Sequence, residues 1–115
     1  RQYEPQFILV STGFDNHYAD PIGNLIASSH SYTEIFDTTT ELASKFCQGK
    51  VVAVLEGGYN LRFLGKLASA TTARLAGASY NTWDKRCGAV LKVRRKADKM
   101  LEHAKKTQSQ FWSLN

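Results

Sequence analysis

The sequence predicts an α/β fold in which a parallel sheet is flanked by helices. Two short runs rich in β-branched residues, 6–11 (Gln-Phe-Ile-Leu-Val-Ser) and 51–55 (Val-Val-Ala-Val-Leu), have the length and composition of buried strands. A helical pattern lies between them, and strand–helix–strand order builds parallel pairs. Further helical patterns fill the rest of the chain.

Each element has a local cause. The first run is bounded by Pro5 and Gly13. Residues 12–31 are rich in Gly, Asn, Asp, Ser and Pro and read as a long loop, a length that usually serves function inside a compact domain. From Ser31 the apolar positions Tyr32, Ile35, Phe36, Leu42, Ala43 and Phe46 recur at helical spacing. Ser31 and Glu34 form a capping box, and Gly49 supplies the stop. The second strand ends in the turn Glu56-Gly57-Gly58-Tyr59-Asn60. A helix follows with Leu61, Leu64, Ala68, Thr71 and Leu75 on one face and Gly77 at its end. A last helix is expected from about Asp84 to about Gln110, striped by Val90, Val93, Ala97, Met100 and Ala104, with Phe111, Trp112 and Leu114 docking its end onto the body.

The 115 residues, 43% hydrophobic and 22% charged, fit one globular domain and exclude collagenous, disordered and disulfide-dense classes. No apolar run is long enough for a membrane span, and no membrane partner is expected. The single methionine is Met100, and two strands are too few for a sheet of ordinary size. The chain is therefore expected to be one partial domain of a longer protein: an α/β segment over 1–80 and a basic C-terminal helix over 81–115. Cys47 and Cys87 have neither metal nor redox spacing and read as small buried residues in a reducing compartment. The expected location is the cytoplasm, or the nucleus in a eukaryote.

The net charge of +5 sits in the tail. Residues 81–115 hold nine Lys/Arg against three acids, whereas residues 1–80 hold six against seven. A solvated helix face explains this most simply. The Lys/Arg cluster has no interleaved aromatic platforms, which argues against nucleic acid as a partner.

In open parallel sheets, ligands sit beyond the carboxyl ends of the strands. The loop after the first strand and the turn after the second both fall there. The loop offers Asp15, His17 and Asp20, of the types that bind Zn²⁺, although their spacing alone is a weak signal and a loop histidine is ordinarily solvated. The turn offers Gly57 and Gly58, which let backbone approach a ligand, and Tyr59. Dinucleotide and Walker fingerprints are absent.

Together the two segments carry a resemblance. Ser11-Thr12-Gly13-Phe14-Asp15-Asn16-His17-Tyr18-Ala19-Asp20-Pro21-Ile22-Gly23 resembles the late S-A-G-F-D-x-H-x-x-D-P-L-G motif of the zinc-dependent histone deacetylase family, which includes acetylpolyamine amidohydrolases and deacetylase-like amidohydrolases. Val54-Leu55-Glu56-Gly57-Gly58-Tyr59-Asn60-Leu61 resembles its next motif, V-L-E-G-G-Y-N-L.

The resemblance implies the C-terminal portion of an arginase/deacetylase-type parallel sheet. It implies that Asp20 is a zinc ligand, that Tyr59 stabilises the oxyanion, and that Gly57 and Gly58 line the floor beside the acetyl group. Asp15 is expected to support the structure rather than bind metal, and His17 is not the family's catalytic histidine. Ala27 stands where many relatives carry a larger residue in the acyl-lysine tunnel. The family's tandem histidines and Asp-x-His pair have no counterpart here, so the Zn²⁺ site is incomplete in this chain and the chain alone is expected to be inactive. The expected partners are the remainder of the deacetylase domain or a second chain, and an acetylated lysine or polyamine substrate. The competing expectation is a non-catalytic binding or assembly module derived from the same family.

Overall fold

The computed structural model describes residues 3–114. Strand β1 (Ile8–Thr12) is followed by the loop 13–28, helix α1 (Ser29–Phe46), strand β2 (Val51–Leu55), helix α2 (Leu61–Leu75) and helix α3 (Leu91–Gln108). The strands are parallel, with Ile8 opposite Val51, Val10 opposite Ala53 and Thr12 opposite Leu55. Helix α1 is the crossover. It packs against α2 and touches β2, and Phe36 of α1 and Ala68 and Thr71 of α2 meet Thr12 and Ala53 of the sheet around a cavity of about 130 Å³.

The strands alternate rather than being buried on both faces as expected. Ile8, Val10, Val51 and Ala53 are partly covered and Thr12 is buried, whereas Leu9, Val52 and Val54 are exposed. Within residues 3–114 the helices α1 and α2 cover one side only, so a run that is apolar on both faces keeps one face open.

Helix α1 starts two residues before the expected boundary. Its N-cap is Ser28, and the capping box pairs Ser28 with Ser31, whose Oγ accepts the Ser28 N–H at 3.2 Å, instead of Ser31 with Glu34. Tyr32, Phe36 and Ala43 are buried, but Ile35 and Leu42 face solvent. Cys47 caps the helix and is buried, and Gly49 follows at φ +76°. Helix α2 has the expected span; Leu67, Ala70 and Thr71 form its buried face, and Leu61, expected there, is 84% exposed. The core is a cluster of Phe14, Tyr32 and Leu67 with Ala27, Phe63, Leu64, Ala68 and Trp83 packed on it. Phe14 and Tyr32 meet edge-to-face at 5.2 Å, a preferred aromatic geometry.

The last helix begins at Leu91, seven residues after the expected start, and none of its residues is buried. Residues 84–90 are irregular because the Asp84 side chain is drawn into the body, so Cys87, expected buried, is exposed in that segment. The tail docks less than expected: the Trp112 ring meets that of Tyr3 edge-on at 6.4 Å, while Phe111 and Leu114 stay exposed. No helix among the described residues is long and apolar enough to cross a membrane.

Candidate active site

The loop after β1 is long but ordered by its own backbone. The His17 N–H donates to the Phe14 carbonyl at 3.1 Å and the Asp20 N–H to the His17 carbonyl at 2.8 Å, giving two successive tight turns. The loop then closes on itself: the Tyr18 N–H donates to the Ala27 carbonyl at 2.9 Å and the Ala27 N–H to the Asn16 carbonyl at 3.0 Å. Ala27 packs on the core cluster.

The turn after β2 is stitched to this loop. The Phe14 N–H donates to the Gly57 carbonyl at 2.7 Å. Asp20 is nearly buried, at 9% exposure, and its carboxylate takes four backbone donors. Oδ2 accepts from Tyr59 N–H at 2.7 Å and Asn60 N–H at 3.2 Å; Oδ1 accepts from Ile22 N–H at 2.9 Å and Gly23 N–H at 3.2 Å. Burial alone would raise the Asp20 pKa, but hydrogen bonds from the Tyr59, Ile22, Gly23 and Asn60 amides outweigh it and hold the carboxyl below its ordinary value. Asp20 is therefore an anion at neutral pH.

The two residues singled out from different strand tips thus stand side by side. Asp20 lies beneath the backbone of Tyr59, whose side chain is about half exposed at the surface. Gly57 and Gly58 are shaped by their neighbours. A Cβ on Gly57 would fall 2.7 Å from Asp15 Oδ2, and one on Gly58, which sits at φ +142°, would fall 3.0 Å from both Phe14 Cβ and Leu64 Cδ1. The Asp15 carboxylate is wedged between Gly57 and Gly13.

Asn60 was not singled out from the sequence, yet it joins the two segments. Its Nδ2 donates to the Ala19 carbonyl at 2.6 Å while its Oδ1 accepts the Arg62 N–H at 3.1 Å, capping α2. Asparagine directly before a helical pattern is the sequence signal that identifies it. His17 departs from expectation more sharply. It is 1% exposed and pairs through Nε2 with Asp84 at 2.9 Å, and rings of Tyr18 and Phe63 lie 4.4 and 4.9 Å from its own. Nothing in the loop's own residues signals this, because the partner lies 67 residues away.

A catalytic Zn²⁺ needs three protein ligands. Among the described residues no three His, Cys, Asp or Glu side chains are grouped to hold a metal ion. Asp20 is a single carboxylate whose oxygens are already engaged by amides, so the residues of this chain alone do not fit the ion.

The histone deacetylase domain profile matches residues 1–75. The chain is 32% identical to a "Probable deacetylase" of Archaeoglobus fulgidus over 96% of its own length and 33% of that protein's. It is 32% identical to the "Polyamine deacetylase HDAC10" of Danio rerio over 97% of its length and 15% of that protein's. Among solved structures, the histone deacetylase Clr3 superposes with a TM-score of 0.76 at 28% identity, covering 97% of this chain and 17% of that one. The chain spans about a third or less of these relatives. With its parallel strands, flanking helices and both motif segments at one end of the sheet, it belongs to the histone deacetylase family.

Proposed function

We propose that this chain is the C-terminal portion of a zinc-dependent deacetylase catalytic domain. In that domain Asp20 supplies one metal ligand and Tyr59 the hydroxyl that stabilises the oxyanion of a cleaved acetyl-amide. The remaining ligands come from sequence upstream or from a second chain, and the isolated chain is inactive. The substrate class is an acetylated lysine or polyamine.

One observation carries the reading: the Asp20 carboxylate lies 2.7 Å from the Tyr59 amide, although the two residues come from the tips of different strands. An anionic carboxylate of lowered pKa is the form that ligates a cation. The Tyr59 phenol is a donor that can meet a carbonyl oxygen as it gains charge, and removing one such donor elsewhere has cost about 10²–10³ in rate. Zinc in such a site would polarise the amide carbonyl and acidify a bound water.

A second reading has an observation of its own. Both Asp20 oxygens already accept two amides each, which suits a bracket in a non-catalytic assembly module.

Combining the chain with a separately produced N-terminal portion of the Archaeoglobus relative, and assaying acetyl-lysine and acetylpolyamine hydrolysis, separates the two. The enzyme reading expects activity from the mixture and a loss of about 10²–10³ with Tyr59→Phe, with Asp20→Ala abolishing it. A folded, assembled complex with no hydrolysis overturns it in favour of the module.

A further inference from the structure

Asp84 lies outside both motif segments, yet its side chain is 2% exposed. Burying a carboxylate is costly unless it is fully hydrogen-bonded. Asp84 meets that condition with three donors: Oδ2 accepts from Ser29 N–H at 2.9 Å and from His17 Nε2 at 2.9 Å, and Oδ1 accepts from the Ser29 hydroxyl. Ser29 opens α1, so the carboxylate also faces the positive end of that helix. His30 clamps the same segment from the side, with Nε2 3.1 Å from the Asp84 carbonyl and Nδ1 3.0 Å from Thr82 Oγ1.

The imidazole of His17 carries this fixed point to the loop. Its Nδ1 accepts the Ala19 N–H at 3.3 Å, so Nδ1 is the unprotonated nitrogen and Nε2 bears the hydrogen donated to Asp84. The His17 carbonyl accepts the Asp20 N–H, and Asp20 in turn accepts from Tyr59 and Asn60. A continuous path thus runs from Asp84 through His17 to the Asp20–Tyr59 contact. We infer that Asp84 is a positioning residue that, acting through His17, sets the loop presenting Asp20 to the Tyr59–Asn60 turn. Its relevance to chemistry rests on the proposed roles of Asp20 and Tyr59; the mechanical link does not.

The geometry makes a distinctive substitution pattern. Asn at position 84 can keep every contact: its carbonyl accepts from His17 and Ser29 N–H, and its NH₂ donates to the Ser29 hydroxyl oxygen. Ala keeps none. Asn at position 17 can still offer an oxygen to the Ala19 N–H but cannot reach Asp84.

Amide hydrogen exchange on the full chain tests the link without any assay of hydrolysis. Asp84→Ala and His17→Asn are expected to speed exchange at Asp20, Tyr59 and Asn60 by at least about tenfold, the lower end for losing a hydrogen bond to a charged group. Val10 and Ala53 in the strand ladder keep parental rates, and Asp84→Asn, which keeps the contacts without the charge, stays well below Asp84→Ala at Asp20, Tyr59 and Asn60. Equal acceleration in the strand ladder would make Asp84 a general stabiliser and overturn the inference, as would parental rates in His17→Asn or an Asp84→Asn that behaves like Asp84→Ala. If Asp84→Ala fails to fold, His17→Asn and Asp84→Asn decide alone. No hydrolysis from the assembled mixture, alongside this exchange pattern, removes the catalytic reading and leaves the link standing; hydrolysis without the exchange pattern removes the link only.

Discussion

Replacing Gly57 with alanine tests the packing of the turn that carries Tyr59. The added Cβ would stand 2.7 Å from Asp15 Oδ2 and 3.0 Å from its Cγ, so something must move. The turn cannot withdraw freely. The Gly57 carbonyl holds the Phe14 N–H at 2.7 Å, and two residues later the Tyr59 N–H is held by Asp20. On its other side the Asp15 carboxylate packs over Gly13, where an added Cβ would likewise stand 2.7 Å from its Oδ1. The carboxylate must leave its slot or the turn must lift, an overpacking cost of about 1–3 kcal/mol. At about 4 °C per kcal/mol for a chain of this size, melting should fall by about 4–12 °C. Urea and thermal unfolding, followed by circular dichroism, measure this. The decisive form is a double-mutant cycle with Asp15→Ala, which empties the slot. In that background Gly57→Ala should cost no more than about 0.5 kcal/mol, giving a coupling of about 0.5–2.5 kcal/mol. An equal cost in both backgrounds refutes the wedge and assigns the effect to the backbone.

Two pH effects follow from the buried titrating groups. Burial raises the Asp84 pKa, but the Ser29 hydroxyl and amide and His17 overcome it and hold it below its ordinary 3.8. A depressed carboxyl pKa contributes stability that is complete above the unfolded value and lost as pH falls through the folded one. Unfolding free energy should therefore drop below about pH 4, with a shallower slope in Asp84→Asn, read from urea titrations between pH 2 and 6. Tyr32 shifts the opposite way. Burial first, then the charges of Asp15 and Asp20, push its pKa up to about 12 against a lowering by the Asn16 backbone. A raised pKa contributes stability that is complete below 10.0 and lost as pH rises toward about 12. Tyr32→Phe should flatten stability across that window, and ultraviolet titration should show one phenol ionising after the rest.

Local pattern made the strands, α2 and the position of the candidate site legible, because β-branched runs and glycine turns are decided over a few residues. What escaped was decided by distant partners. The start of α1 moved because Ser28 and Ser29 are buried and Asp84 satisfies the Ser29 amide from 55 positions away. The same contact removed Asp84 from the last helix and delayed its start to Leu91. His17 looked solvated because a histidine's neighbours in sequence say nothing of a carboxylate 67 residues on. The open face of the strands escaped for another reason: Val-Val-Ala-Val-Leu is apolar on both sides, and sequence cannot tell which side this length of chain will cover.

In the proposed enzyme reading, that open face and the incomplete site have one physical origin. Leu9 lies opposite Val52, and Val54 stands two residues further along the same face. Parallel sheets bury both faces and ordinarily hold more than two strands. Neighbouring strands in a sheet lie about 4.8 Å apart, and each added parallel strand would deliver its own C-terminal loop at the same end as the Asp20 loop and the Tyr59 turn. A third parallel strand beside β1 or β2 would bring a new loop to the end of the sheet that carries the Asp20–Tyr59 contact, and the helix of its crossover could cover the open face. The relatives, at three times this length or more, have the chain to do both. If the proposed enzyme reading holds, burial of Leu9, Val52 and Val54 on assembly and the gain of acetyl-amide hydrolysis should appear together. Charged substitutions at Val52 and Val54, both on the open face of β2, should then abolish activity by preventing assembly.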